Sequence, residues 1–115
     1  MSESILDSTK KILGIGEDYD AFDMDVIMHI NGALSTLHQL GLGPDEGFMI
    51  EDSSAEWGDL LEEDARLNSI KTYIYLKVRI LFDPPSTSFV LTALQEQIKE
   101  LEWRLNVYRE GRDRV

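Results

Sequence analysis

The stretch YLKVRILFDPPSTSFVLTALQEQIKELEWRLNVY, residues 75–108, decides the fold, because two consecutive prolines stand between the two most helix-like runs of the chain. After the prolines, Leu91, Leu94, Ile98, Leu101, Leu105 and Tyr108 recur at spacings of 3, 4, 3, 4 and 3. That is a heptad seam on a helix over 86–110, roughly 26 Å long at about 1.5 Å per residue. Before them, Leu67, Ile70, Ile74, Val78 and Leu81 keep helical spacing over 65–82, while Tyr73, Leu76, Ile80 and Phe82 make the other faces apolar as well. A helix apolar on most sides belongs in the middle of a bundle. The β-branched and aromatic content of YIYLKVRIL suits a strand, but the length and the spacing favour a helix. Asp83-Pro84-Pro85 is the interhelical joint. Proline lacks the N–H and fixes φ, so the pair stops one helix and forms a stiff corner, and Ser86 or Ser88 can cap the next.

Working toward the N-terminus, residues 2–13 read as a helix with Ile5, Leu6, Thr9, Ile12 and Leu13 on one side, Ser2 or Ser4 as cap and Gly14 as stop. A second helix runs over 23–40, with Ile27, Ile30, Leu34 and Leu37 as its stripe, Met24 and Ala33 beside it, and Asp20 or Asp23 as cap. GLGP at 41–44 ends it. Residues 45–53 are too short for a helix with a buried face and read as an extended arm or hairpin. Ser53 with Glu56 resembles a capping box that opens a short helix through Trp57. The expectation is an all-α single domain over 1–115: a small bundle of about four helices with a short arm between the second and third long ones.

With 115 residues the chain can build one modest core, and a partner can add much to its stability. It has no cysteine, so disulfides and thiolate metal sites are excluded. No apolar run approaches a membrane span, and MSESILDSTKK is too polar for a signal peptide, which points to a soluble, non-secreted protein without membrane contact. The net charge is −11, unevenly placed. Residues 1–64 set 16 Asp/Glu against Lys10 and Lys11, a net of −14, and residues 65–115 set 9 Lys/Arg against 6 Asp/Glu, a net of +3. The front half repels phosphate. Much of this charge serves solubility, yet the asymmetry also lets an acidic surface of one copy meet a more basic surface of another.

Catalytic chemistry finds little support. No Gly-x-Ser-x-Gly or P-loop spacing occurs, and GIG at 14–16 lacks the remaining glycine and strand context of a dinucleotide site. Asp18, Asp20, Asp23 and Asp25 do not keep the spacing of a calcium loop. His29 and His38, about 900° apart along a helix at about 100° per residue, lie on opposite faces and cannot share a metal. No catalytic residue, metal or cofactor is expected.

The candidate binding residues are of three kinds. Phe48, Met49 and Ile50 form an apolar triplet on the arm, which either packs back on its own helices or inserts into a partner. Trp57 and Trp103 are core residues or interface anchors, Trp103 lying beside the heptad seam. Arg104, Arg109, Arg112 and Arg114 either complement a helix dipole or form a basic peg for an acidic docking surface.

In order, ILDSTKKILGI, FDMDVIMHINGALSTLHQLGLGP, a short apolar arm with a tryptophan turn, LNSIKTYIYLKVRILFDPP and SFVLTALQEQIKELEWRLNVY resemble the head–tail connector proteins of long-tailed bacteriophages. The resemblance covers nearly the whole chain and is most specific around the proline joint. It implies a small helical adaptor or head-completion protein, present in the virion at the head–tail interface and in the host cytoplasm during assembly. It implies a homo-oligomeric ring, commonly of twelve copies, beneath the portal protein. Such a ring extends the DNA channel and meets a tailward connector or stopper protein, while DNA passes without sequence-specific binding. Residues 104–115 are then expected to dock toward the portal and Phe48–Ile50 to reach tailward. The family supplies no catalytic motif. The competing expectation is an acidic DNA mimic that inhibits a host nuclease, which accounts for the charge but not for the apolar arm or the basic tail.

Overall fold

A computed structural model describes residues 3–44, 46–60 and 67–113, with side chains throughout these except at 67 and 108–113. Five helices follow one another: α1 Ile5–Ile12, α2 Asp23–Gln39, α3 Trp57–Leu60, α4 Leu67–Phe82 and α5 Ser88–Asp113. Among the described residues there is no strand, only an isolated antiparallel bridge between Ser4 and Glu56. The molecule is the expected all-α bundle. Before α3, residues 46–55 form neither helix nor hairpin, and Asp45 of the expected arm lies outside the described residues.

The central place falls to α4. Both α2 and α5 pack on it, and α1 packs on α2. Ile70, Tyr73, Ile74 and Val78 of α4 are buried, as are Val26, Ile30, Ala33, Leu34 and Leu37 of α2. The heptad seam of α5 meets the same core: Ile98 and Leu105 are buried, and Leu91, Leu94 and Leu101 are half-buried. Large apolar side chains contribute about 1.5–3 kcal/mol each when fully buried, before entropy is subtracted, so the shared core of α2, α4 and α5 dominates stability. Tyr73 fastens α5 further by donating its hydroxyl to Glu102 Oε2 at 2.7 Å. Burial first, and then this bond to a carboxylate, push the phenol well above the ordinary tyrosine range.

Trp57 closes the bundle on the α1 side. It is buried, donates its indole N–H to Ser8 Oγ at 2.9 Å, and meets Tyr75 edge-on at 5.8 Å, with Lys71 Nζ 5.5 Å from its ring centre. Backbone bonds from Ile5 N to Ala55 O and from Trp57 N to Glu3 O strap the two segments together.

Several local expectations need correction. In α1, Ile5, Leu6 and Thr9 are buried as expected, but Ser8 and Lys10 are buried too, while Ile12 is half in solvent at 51% exposure. The buried lysine has a specific reason: Lys10 Nζ lies 2.8 Å from Asp23 Oδ1 and donates to Glu17 O at 3.1 Å. Asp23 is therefore not the cap of α2. That place belongs to Phe22, which supplies no side-chain bond, and Asp23 sits in the first turn facing the lysine. Ser53 does not cap α3; Asp59 accepts from Glu56 N at 2.9 Å instead. The expected caps of α1 and α5 fare differently. Ser4 accepts from Asp7 N at 3.2 Å, whereas at α5 it is Thr87, between the two expected serines, that accepts from Val90 N at 3.4 Å. Ser2 lies outside the described residues. Gly14 and Gly41 end α1 and α2 with φ of 79° and 85°, a conformation that side chains disfavour.

Candidate assembly interface

The joint at Asp83-Pro84-Pro85 lies between Phe82, the last residue of α4, and Ser88, the first of α5. Asp83 N still donates to Arg79 O at 2.8 Å, and Leu91 N donates to Thr87 O at 3.1 Å, so helical bonding reaches into the corner from both sides. The prolines then forbid a continuous rod. An aromatic contact braces this end of the molecule. Phe22 lies edge-on to Phe82 with ring centres 5.4 Å apart, and Tyr19 stands 5.6 Å from Phe22. The acidic linker thus carries aromatics onto the end of α4, and the Lys10–Asp23 pair anchors it from below. Phe82 is far from Tyr19 and Phe22 in sequence, and no spacing rule joins it to them.

The arm is fixed at one residue. Asn31 of α2 accepts from Ile50 N at 2.8 Å and donates to Ile50 O at 3.0 Å, which satisfies both polar groups of that peptide position. Ile50 is buried, Phe48 is half-buried against the core, and Met49 between them is 72% exposed. The three side chains thus alternate between the protein and solvent. Of the triplet, Met49 alone offers most of its side chain to a partner. Trp57 is enclosed within the protomer.

Trp103 is 66% exposed on α5. Arg104 is exposed as well, bonded to Glu100 Oε1 at 2.8 Å in the i,i+4 relation. Arg109 and Arg112 fall in the last turns of α5, their side chains outside those described, and Arg114 lies outside the described residues. Sequence reasoning missed the two most exposed large apolar residues among those described, Phe89 and Met24, both at 84%, and also Met28 at 63%. Met24, expected beside the buried stripe of α2, points to solvent. Leu81, expected on the buried face of α4, is 57% exposed near the joint. The available signal was that Phe89 and Trp103 are large and apolar but off the heptad seam, where a helix packed on one side carries polar residues.

Among the described residues no group of three or more His, Asp or Glu is placed to hold a metal ion, and no helix is long and apolar enough to cross a membrane. The distinctive surface features are exposed apolar side chains on α2, α5 and the arm, set among acids. Where such side chains form one contiguous patch, they mark contact with other proteins.

Comparison with curated proteins finds no match. Comparison with solved structures finds none either. The family model described as phage connector protein matches residues 5–112, from the first residue of α1 to the last turn of α5. The match takes in the proline joint, the pinned arm and both exposed apolar helix faces, and the chain belongs to the phage connector protein family.

Proposed function

We propose that the protein is a structural, non-enzymatic part of the virion that forms a ring joining the portal to the tail and extending the DNA channel. The family match over residues 5–112 carries this reading. Twelve copies, the number common in head–tail connectors, complete the ring. The portal lies on one side, a tailward connector or stopper on the other, and the protein assembles in the host cytoplasm. The fold suits the task. A proline-locked corner holds α4 and α5 at a reproducible angle, and identical copies tile around an axis only if that angle repeats. The formal charge of −11 per copy suits a conduit that repels phosphate and lets duplex DNA slide.

In this reading the end of α5 and the residues after it, with Arg109, Arg112 and Arg114, dock toward the portal, and Met49 at the tip of the arm faces tailward. The test is co-sedimentation with purified portal rings. The intact chain co-sediments, and a chain ending at Tyr108 does so more weakly. Equal binding by the truncated chain removes the role of the tail, and absence of binding by the intact chain removes the connector reading.

A further inference from the structure

Among the described residues, two helix faces carry uncovered apolar side chains, and they are unlike. On α5, at about 100° per residue, Phe89 and Val107 point in one direction, about 180° from Ile98, with Trp103 about 40° to one side. Their exposures are 84%, 42% and 66%. This outward strip spans roughly 27 Å at about 1.5 Å per residue. On α2, Met24, Met28 and Ser35 share a face turned away from the buried Ile30 and Leu37. That face runs into an open groove of about 390 Å³ between α2 and the arm, lined by Asn31, Ser35, Phe48 and Met49. Met49 lines the groove, and the exposed Met24 and Met28 lie on the same face of α2, nearer its N-terminus.

Charge decides which surfaces can meet. Glu46 lines the groove, and Asp25 and Glu51 are exposed on the same front half, so two copies of this face repel. The α5 strip is balanced: Glu96 lies 4.0 Å from Lys99, and Glu100 is bonded to Arg104. It can approach an acidic surface without net repulsion and can turn Lys99 and Arg104 toward it. Methionine adapts to irregular partners, and its sulfur makes favourable contacts with aromatic rings, which the α5 strip supplies.

We propose that the outward face of α5, through Phe89, Trp103 and Val107, seats on the Met24–Met28 face of α2 and the groove that continues it in a second copy of the chain. The contact is head-to-tail, so every copy uses both faces and a closed ring leaves neither exposed. The proposal rests on the ring reading above and names the surfaces that build the ring.

The protein has no cysteine, so introduced thiols report contacts without background. Single variants Met28→Cys and Val107→Cys are mixed, assembled on portal rings, oxidised and resolved without reductant. The expected result is a mixed disulfide as the main cross-linked species, with either variant alone remaining monomeric on the gel. The pair Ser35→Cys and Trp103→Cys repeats the test at neighbouring positions in case one of the first variants does not fold. Rings that form without the mixed cross-link in either pair, or with like-to-like links only, overturn these surfaces and leave the ring intact. Cross-linking of Val107→Cys to the portal instead of to the α2 variant overturns them as well. If imaging shows no ring on the portal, the ring reading fails and this proposal with it.

Discussion

Asn31 holds Ile50 by both of its backbone polar groups, donating to the carbonyl at 3.0 Å and accepting from the amide at 2.8 Å across 19 residues of sequence. One side chain on α2 therefore fixes the register of the arm, burying Ile50 and leaving Met49 outward. The outward position of Met49 depends on this clamp more than on any regular secondary structure.

Replacing Asn31 should loosen the arm while leaving the helices in place. N31A leaves both polar groups of Ile50 without their partner and is expected to cost about 1–3 kcal/mol in chemical denaturation. N31D keeps the acceptor for Ile50 N but sets a carboxylate against Ile50 O. It should be destabilised at neutral pH and partly recover in acid, where a protonated carboxyl can donate again. Equal stability of N31D and the parent at pH 7 would contradict the clamp.

The Lys10–Asp23 pair is asymmetric, with side chains 1% and 29% exposed. Removing Asp23 strands a buried ammonium group, and removing Lys10 leaves a carboxylate that can still reach water. D23A should therefore be the more destabilised variant, by about 3–5 kcal/mol as for other broken buried pairs, and K10M distinctly less. Urea midpoints measured side by side give the order.

Tyr73 makes stability sensitive to alkali. Its phenol is held above the ordinary tyrosine value in the folded state, first by burial and then by Glu102. The unfolded chain loses this proton near pH 10, while the folded chain keeps it. The native state then binds more protons than the unfolded one, so stability is fully present below about pH 10 and falls as pH rises beyond it. Y73F should lose about 1.5–3 kcal/mol at neutral pH and show a smaller decline above pH 10, followed by thermal melting across the range.

The joint should matter more to assembly than to the protomer. Pro84 is exposed and Pro85 half-buried. Exchanging both for alanine frees φ and restores two donors, at the cost of about 0.4–1 kcal/mol per position through the unfolded chain. Ring yield on the portal should fall by more than that change in stability accounts for. Unchanged ring yield would contradict the stiff corner.

Much of this architecture is legible in the sequence, for identifiable reasons. The seam from Leu91 to Leu105 and the all-round apolar character of α4 are periodic signals, and periodicity reports burial directly. The proline pair is a steric stop that no context reverses. The burial of Lys10 and the aromatic contact of Phe22 with Phe82 depend on residues distant in sequence, and nothing local marks them. Lysine is almost always a surface residue, so its place inside α1 follows only once Asp23 and Glu17 are brought to it. At the candidate interface, Trp103 and Met49 were legible as large apolar residues, but the sequence left open whether they pack inward or face out. Phe89, Met24 and Met28 were not legible as contact residues, because a face that is apolar for a partner has the same composition as one that is apolar for the core.

The central claim, a proline-locked bundle that tiles into a connector ring, is tested most directly by electron cryomicroscopy of intact virions with density traced for this chain. The expected map shows copies of residues 5–112 in a closed ring coaxial with the portal, α4 and α5 at one repeated angle about Pro84 and Pro85. A map in which this chain surrounds no axis, or in which α4 and α5 run on as one rod, contradicts it.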